Sequence, residues 1–105
     1  MGWLDLFGSP DINEGVARFS QKTGAVLLDV RNPQEYAAGH IPGSRNIPLG
    51  ELELALREIP LDSPLYVYCL SGGRSRQAAS LLRQMGYRKV HDIGGINSYR
   101  GKLEG

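Results

Sequence analysis

The chain has 105 residues, of which 41% are hydrophobic and 22% are charged. This length fits one domain with a single core, and the composition is ordinary for a soluble globular protein. A formal net charge of +1 provides no general attraction to nucleic acid or to an acidic membrane surface. One cysteine and two histidines exclude an internal disulfide and argue against a metal site. We therefore expect a reducing, cytoplasmic location.

The first eight residues, MGWLDLFG, are apolar apart from Asp5. They lack a basic leader and are too short to cross a bilayer. We interpret them as a strap over the core, with a docking peptide for a partner as the alternative. The chain then divides into this segment, residues 1–8, and one domain over residues 9–105.

The first half of the domain predicts two helices and two strands. SPDINEGVARFSQ predicts a helix capped by Ser9, with Pro10 in its first turn. The apolar run AVLLDV, residues 25–30, is typical of a parallel strand that is buried on both faces. Asn32, followed by proline and then by Glu35, predicts a capped short helix to about residue 38. A turn-rich stretch then leads to a short strand at residues 46–49.

The second half continues the alternation of strands and helices. GELELALREI predicts a helix with Leu52, Leu56 and Ile59 on its buried side, and LYVYC predicts a strand. Residues 75–85 predict a helix that Gly86 ends. The apolar stripe of that helix is Ala78, Leu81, Leu82 and Met85. KVHDI predicts a last strand, and GGINSYRG a turn into a final short helix. This order indicates an α/β fold with a mainly parallel central sheet flanked by helices.

The only cysteine lies in CLSGGRSR, between a predicted strand and a predicted helix. In open parallel sheets, binding sites lie beyond the carboxyl ends of the strands. We expect the backbone N–H groups of residues 70–75 to converge there and to bind an anion, assisted by the helix dipole. Arg74 and Arg76 fit this interpretation, and the same field stabilises a nucleophilic thiolate on Cys69. The alternative, a small inert buried thiol, is favoured by the cysteine alone but not by the whole cluster.

Three segments together resemble a single-domain rhodanese-like sulfurtransferase: LLDVRNPQEYAAGHIPGSRNIPL, VYCLSGGRSRQAASLLRQMGY and DIGGINSY. The resemblance extends from about residue 12 to residue 100. It implies a compact domain, a catalytic Cys69 and a six-residue cradle loop, and no cofactor. The other cradle residues are Leu70, Ser71, Gly72, Gly73 and Arg74, followed by Ser75. It also implies that a sulfane sulfur moves from a donor such as thiosulfate to the cysteine, as a persulfide, and then to a thiophilic acceptor. Small thiols, or cyanide in an assay, would serve as acceptors, and a sulfur-relay protein is a further candidate partner.

The charged residues around the loop admit two interpretations. Arg74 is the candidate to bind the sulfonate end of a donor through paired hydrogen bonds, and the alternative is a helix-end salt bridge. Asp29 and Arg31 end a neighbouring strand, where they either line the pocket mouth or, as we favour, pair with each other. Arg76 is likewise assigned to the pocket mouth or to structural support.

Other residues have structural interpretations. His40 is expected to fix a turn by a hydrogen bond rather than to act in catalysis or to bind a metal. Gly94 and Gly95 are expected to supply positive φ angles close to the site. Tyr99, where the family often has tryptophan, is expected to pack into the core with a solvated hydroxyl.

Two other functions remain open. Related phosphatases and arsenate reductases have five residues between the cysteine and the arginine, whereas four separate Cys69 from Arg74. A shorter loop leaves less room for a tetrahedral oxyanion but still accommodates one sulfur atom. The second alternative is a persulfide carrier or partner-binding module without turnover of its own. Leu70 keeps this alternative open, because many thiosulfate-active relatives have a basic residue at that position.

Overall fold

A computed structural model of the chain describes residues 10–105. The strap or docking segment predicted at residues 1–8 and the predicted cap Ser9 lie outside the described residues. The strands are β1 Val26–Asp29, β2 Ser44–Asn46, β3 Leu65–Cys69 and β4 Val90–Gly95. The α-helices are α1 Ile12–Gln21, α2 Pro33–Ala38, α3 Ala55–Glu58 and α4 Gly73–Gln84, and the 3₁₀ helices are Leu49–Leu54 and Ile96–Ser98.

The four strands form one sheet in the order β2-β1-β3-β4. Every pairing between these described strands is parallel, which confirms the predicted α/β class. The register places Asp29 beside Tyr68 and Cys69 beside Gly95. The carboxyl ends of β1, β3 and β4 therefore meet at one edge of the sheet, where a binding site is expected.

Side chains of the two central strands alternate between two hydrophobic layers. Leu28 and Val67 belong to the layer that also contains residues of α3 and α4, whereas Leu27 and Tyr66 belong to the layer beneath α1. All residues of β1 and β3 are buried, which confirms the burial predicted for β1 from its continuous apolar run. Cys69 is the last residue of β3 in the layer that contains α4, so it lies at the edge of the core.

Several elements differ from prediction. Helix α1 begins at Ile12 because the side chain of Asp11 accepts a hydrogen bond from the Asn13 N–H at 2.9 Å, so Pro10 precedes the cap. Strand β2 ends at Asn46, which pairs with Asp29, and not at residue 49. GELELALREI is not one regular helix, because Glu51 has a non-helical φ of −128°.

That break changes which leucines are buried. Leu52 and Ile59 are buried as predicted, but Leu56 is 51% exposed. In α4, which begins two residues earlier than predicted, Ala78 and Leu82 are buried whereas Leu81 is exposed. Within residues 10–105, no helix is both long enough and apolar enough to cross a membrane.

The two predicted structural aromatic residues pack as expected. His40 Nδ1 lies 2.9 Å from the Tyr36 carbonyl oxygen, and its ring stacks on that of Tyr36. The hydrogen bond fixes the turn after α2. Tyr99 is partly buried and packs against the layer beneath α1.

Candidate functional site

Cys69 ends strand β3 and is 1% exposed. The chain then reverses through Gly72, whose φ of 110° lies in a region that a side chain would strain. This reversal directs the Gly72 N–H back toward the cysteine, where it donates to Sγ at 3.0 Å. The turn thus provides one hydrogen-bond donor to the sulfur.

Helix α4 begins immediately after this turn and has no side-chain cap. Within residues 10–105, no protein group accepts from the N–H groups of Gly73, Arg74 and Ser75. Unpaired donors at a helix N-terminus, together with the helix dipole, favour a bound anion. The sulfur, the turn and the helix end are therefore in the order that the sequence predicted. That the remaining amides converge on the sulfur stays a prediction.

The end of strand β4 and the 3₁₀ turn after it pack against the cysteine loop. The Asn97 N–H donates to the Leu70 carbonyl at 3.1 Å. A Cβ atom on Gly95 would lie only 2.6 Å from the Ser71 Cα, so this position requires glycine for close approach. The prediction of a positive φ is right for Gly94, at 101°, and wrong for Gly95, at −118°.

Ser75 holds the start of α4 against β4 through its side chain. It is fully buried, and its Oγ lies 2.7 Å from Asp92 Oδ1 and 3.1 Å from the Gly72 carbonyl oxygen. Asp92 also accepts from the Gly94 N–H at 3.1 Å. The sequence reasoning missed Asp92, because its partner Ser75 is 17 residues away and no local pattern connects them.

Asp29 and Arg31 pair with each other beside the turn after β1. Arg31 Nη2 lies 2.7 Å from Asp29 Oδ2, and the two residues are 4% and 0% exposed. Burial acts to lower the pKa of Arg31, but the hydrogen bond and charge of Asp29 outweigh it and raise that pKa. Arg31 also donates to the Gly39 carbonyl at 2.7 Å, so the pair connects two loops. A further role for either residue at a pocket mouth stays a prediction.

Arg74 forms a two-point ion pair with Glu35, at 2.7 Å and 2.9 Å. Glu35 also completes the predicted capping box of α2 by accepting from the Asn32 N–H at 3.0 Å. Its hydrogen bond to Arg74 is the main cause that lowers the pKa of Glu35 to about 2. The same hydrogen bond is the main cause that raises the pKa of Arg74. In this structure Arg74 is held by a carboxylate, which is the salt-bridge alternative.

A groove of about 660 Å³ lies beside the loop. Its lining residues include Ser71, Gly72, Gly73, Arg76, Asp92 and Asn97. Arg76 is exposed, and within residues 10–105 it forms no ion pair with a carboxylate. Leu70, the residue after Cys69, is 37% exposed, so the loop also presents an apolar side chain to solvent.

Comparison with known proteins identifies the family and the fold of the chain. The sequence model of the rhodanese-like domain matches residues 13–102. The chain belongs to the rhodanese-like family. The rhodanese-like domain thus includes the whole sheet and the cysteine loop. It superimposes on a rhodanese-like domain of the Anabaena protein Alr3790 with a TM-score of 0.83, at 28% identity over 92% of this chain and 78% of the other.

Three curated relatives carry different descriptions. The chain is 43% identical to the uncharacterized protein YqhL of Bacillus subtilis over 81 residues, which are 76% of this chain. It is 40% identical, over 74% of this chain, to YrkF of the same organism, which is described as a candidate sulfur carrier protein. It is 37% identical to the thiosulfate sulfurtransferase GlpE of Pseudomonas putida, over 83% of this chain and 80% of GlpE. The chain spans 64% of the length of YqhL and 43% of YrkF.

Proposed function

We propose that this rhodanese-like domain is a sulfurtransferase that carries sulfane sulfur as a persulfide on Cys69. The observation that carries the proposal is the Cys69 Sγ accepting the Gly72 N–H at 3.0 Å, at the uncapped start of α4. The similarity to GlpE, a named thiosulfate sulfurtransferase, supports thiosulfate or another persulfide donor. A reducing cytoplasm suits this chemistry, because it keeps a lone thiol free.

The proposed reaction has two displacement steps. The Cys69 thiolate attacks the outer sulfur of thiosulfate, the S–S bond breaks, and sulfite leaves with the electron pair. A thiophilic acceptor, such as a thiolate or cyanide, then takes the outer sulfur from the persulfide and regenerates the thiolate. No proton moves at the sulfur in either step. The positioned N–H donors would stabilise the negative charge of the persulfide with little reorganisation.

A persulfide carrier without turnover of its own is the second candidate. The similarity to YrkF and the exposed Leu70 favour it, because an apolar side chain beside the sulfur suits contact with a partner protein. Phosphatase or arsenate reductase activity has less support, since only four residues separate Cys69 from Arg74 and Glu35 already binds Arg74.

Mass spectrometry of the intact protein tests the proposal. We expect thiosulfate to leave the protein heavier by one sulfur atom and cyanide to remove that atom, while the Cys69→Ser variant stays unmodified. Unmodified protein at saturating thiosulfate, combined with loading from an organic persulfide, would favour the carrier. Hydrolysis of an aryl phosphate faster than sulfur transfer would show that the assignment is wrong.

A further inference from the structure

Three arginines and three carboxylates lie at the sheet edge that holds the cysteine loop, and two of the arginines are paired with carboxylates. Arg31 forms an ion pair with Asp29, and Arg74 forms an ion pair with Glu35. The third arginine, Arg76, shares its groove with Asp92. The three arginines and three carboxylates therefore give this edge no net charge from these side chains. Positive potential at the sulfur must come mainly from backbone N–H groups and the helix dipole.

Glu35 is the carboxylate that pairs with the arginine of the cysteine loop. It accepts from both terminal nitrogens of Arg74, the arginine that closes the cysteine loop. Arg74 lies two residues after Gly72, whose N–H donates to the Cys69 Sγ at 3.0 Å. The arginine therefore belongs to the turn that holds the sulfur, at the uncapped start of α4 where an anion would bind. With its guanidinium already paired, Arg74 supplies much less net attraction to that anion.

This neutralisation acts unequally on different sulfur donors. The Coulomb energy between a donor and the site is proportional to the charge of the donor. A dianion such as thiosulfate therefore loses about twice as much attraction as a monoanion when Glu35 offsets Arg74. Leu70 follows Cys69 directly in the loop and is 37% exposed, so an apolar side chain of the loop is accessible to a carbon substituent, which thiosulfate lacks. Both features favour a donor with an organic group and a single charge.

We propose that Glu35 is the specificity-determining residue of this site and directs it toward singly charged organic sulfur donors in preference to thiosulfate. The inference rests on the proposed sulfur transfer to Cys69. The donor class comprises organic persulfides, which release a thiolate, and thiosulfonates, in which a carbon group replaces one charged oxygen of the leaving group of thiosulfate. For a thiosulfonate, the Cys69 thiolate attacks the outer sulfur, the S–S bond breaks, and a sulfinate leaves with the electron pair. The Cys69 persulfide forms without any oxidant or reductant.

Methanethiosulfonate and thiosulfate are a matched pair of probes, since a methyl group replaces one oxyanion. The measurement is the second-order rate of persulfide formation on the intact protein with each donor, for the wild type and Glu35→Gln. Because intrinsic donor reactivities differ, the informative quantity is the ratio of the two rates. We expect Glu35→Gln to shift this ratio toward thiosulfate by about fivefold at low salt, and by much less near 1 M salt.

Glu14→Gln is the matched control. It removes the carboxylate of another Glu–Arg ion pair, with Arg18, on the exposed face of α1, and should leave the donor ratio unchanged. If Glu35 only positions Arg74, Glu35→Gln should slow both donors equally. An unchanged ratio in Glu35→Gln, with both donors loading the wild type, would overturn the inference and leave the proposed function intact. If neither donor loads the wild type, the inference fails, and incubation with an organic persulfide then decides whether the proposed persulfide on Cys69 fails as well.

If Glu35→Gln does not fold, the salt dependence of the wild-type rate with thiosulfate tests the inference instead. A site without net side-chain charge should lose less than about twofold in its thiosulfate rate between 0.05 M and 0.5 M salt. A steep fall, of about tenfold or more, would show a strongly positive site and would overturn the inference.

Discussion

Strands β1 and β3 turn into helices at the same edge of the sheet, and the two turns are completed in different ways. After β1, Asn32 caps α2 through its side chain, and Glu35 returns a hydrogen bond to the Asn32 N–H. After β3, the cap position of α4 is Gly72, which has no side chain to offer. The first turn satisfies its own donors, whereas the second leaves donors for an external anion. The candidate site therefore lies at the turn whose helix has no side-chain cap.

The capped turn after β1, residues 30–35 (the closed turn), also supports the uncapped turn after β3, residues 70–75 (the open turn). Glu35 belongs to the capping box of α2, yet it holds Arg74 in the first turn of α4. The open turn is further held by Ser75 on Asp92 and by the glycine contact from β4. Within residues 10–105, the N–H groups of Gly73, Arg74 and Ser75 therefore have no protein acceptor, while the side chains of Arg74 and Ser75 are held in place. Such preorganisation is what stabilisation of a developing sulfur anion requires.

Inserting one glycine between Gly72 and Gly73 should break the open turn most severely. The insertion retains Cys69, Arg74 and the helix dipole, but it moves the N–H donors away from the sulfur. Loss of one well-aimed donor costs about a hundredfold in rate, so we expect sulfur transfer to fall at least that far. The measurement is the rate of cyanide-dependent sulfur transfer, together with aryl phosphate hydrolysis.

The control is one glycine inserted between Gly24 and Ala25, in a turn where a Cβ on Gly24 would meet nothing within 4 Å. This control should fold and keep most of the wild-type rate. An active-loop insertion that folds and transfers sulfur at the wild-type rate would mean that the donors of the turn do not act on the sulfur.

Gly95→Ala should disturb the support of the open turn without changing its sequence. The new Cβ would meet the Leu70 carbonyl oxygen and the Ser71 backbone, so the loop must move. Overpacking of this kind costs about 1–3 kcal/mol of stability, and we expect sulfur transfer to fall about tenfold as the donors shift. Denaturant unfolding and the transfer rate measure the two effects.

Gly50→Ala is the matched control, because a Cβ there meets nothing within 4 Å. It should change stability by less than about 0.5 kcal/mol and leave the rate unchanged. If both alanine variants behave alike, the close approach of β4 to the loop has no part in the site.

Features carried by neighbouring residues could be predicted from the sequence, and features made by distant residues could not. The capping box of α2 and the strand that ends at Cys69 follow from adjacent residue types. The Glu35–Arg74 pair joins residues 39 apart, and its carboxylate already had a local explanation as a cap. The exposure of Leu56 was missed because the helical periodicity assumed a regular helix, which the backbone at Glu51 interrupts.

Glu35→Gln should give the smallest effect, one that depends on pH and tests the link between the two turns. Pairing with Arg74 lowers the pKa of Glu35 to about 2 in the folded state, from an ordinary value of 4.5. The folded state therefore binds this proton less readily than the unfolded state, and the pair stabilises the fold above about pH 5. That stabilisation is lost as pH falls toward 2. The Glu35 and Arg74 side chains are 25% and 36% exposed, so water screens the pair and we expect about 1 kcal/mol at pH 7.

Urea unfolding of the wild type and Glu35→Gln at several pH values between 7 and 2 measures this difference. Glutamine retains an oxygen that can accept from the Asn32 N–H, so the cap is kept and the charge alone is removed. The stability gap should be present at pH 7, shrink below about pH 5 and be nearly closed near pH 2, the folded-state pKa. Glu14→Gln, which breaks a pair exposed by about two thirds on both sides, should show almost no gap at any pH. A gap for Glu35→Gln that persists unchanged to low pH would mean that packing or capping, rather than the charge of Glu35, connects the closed turn to the open one.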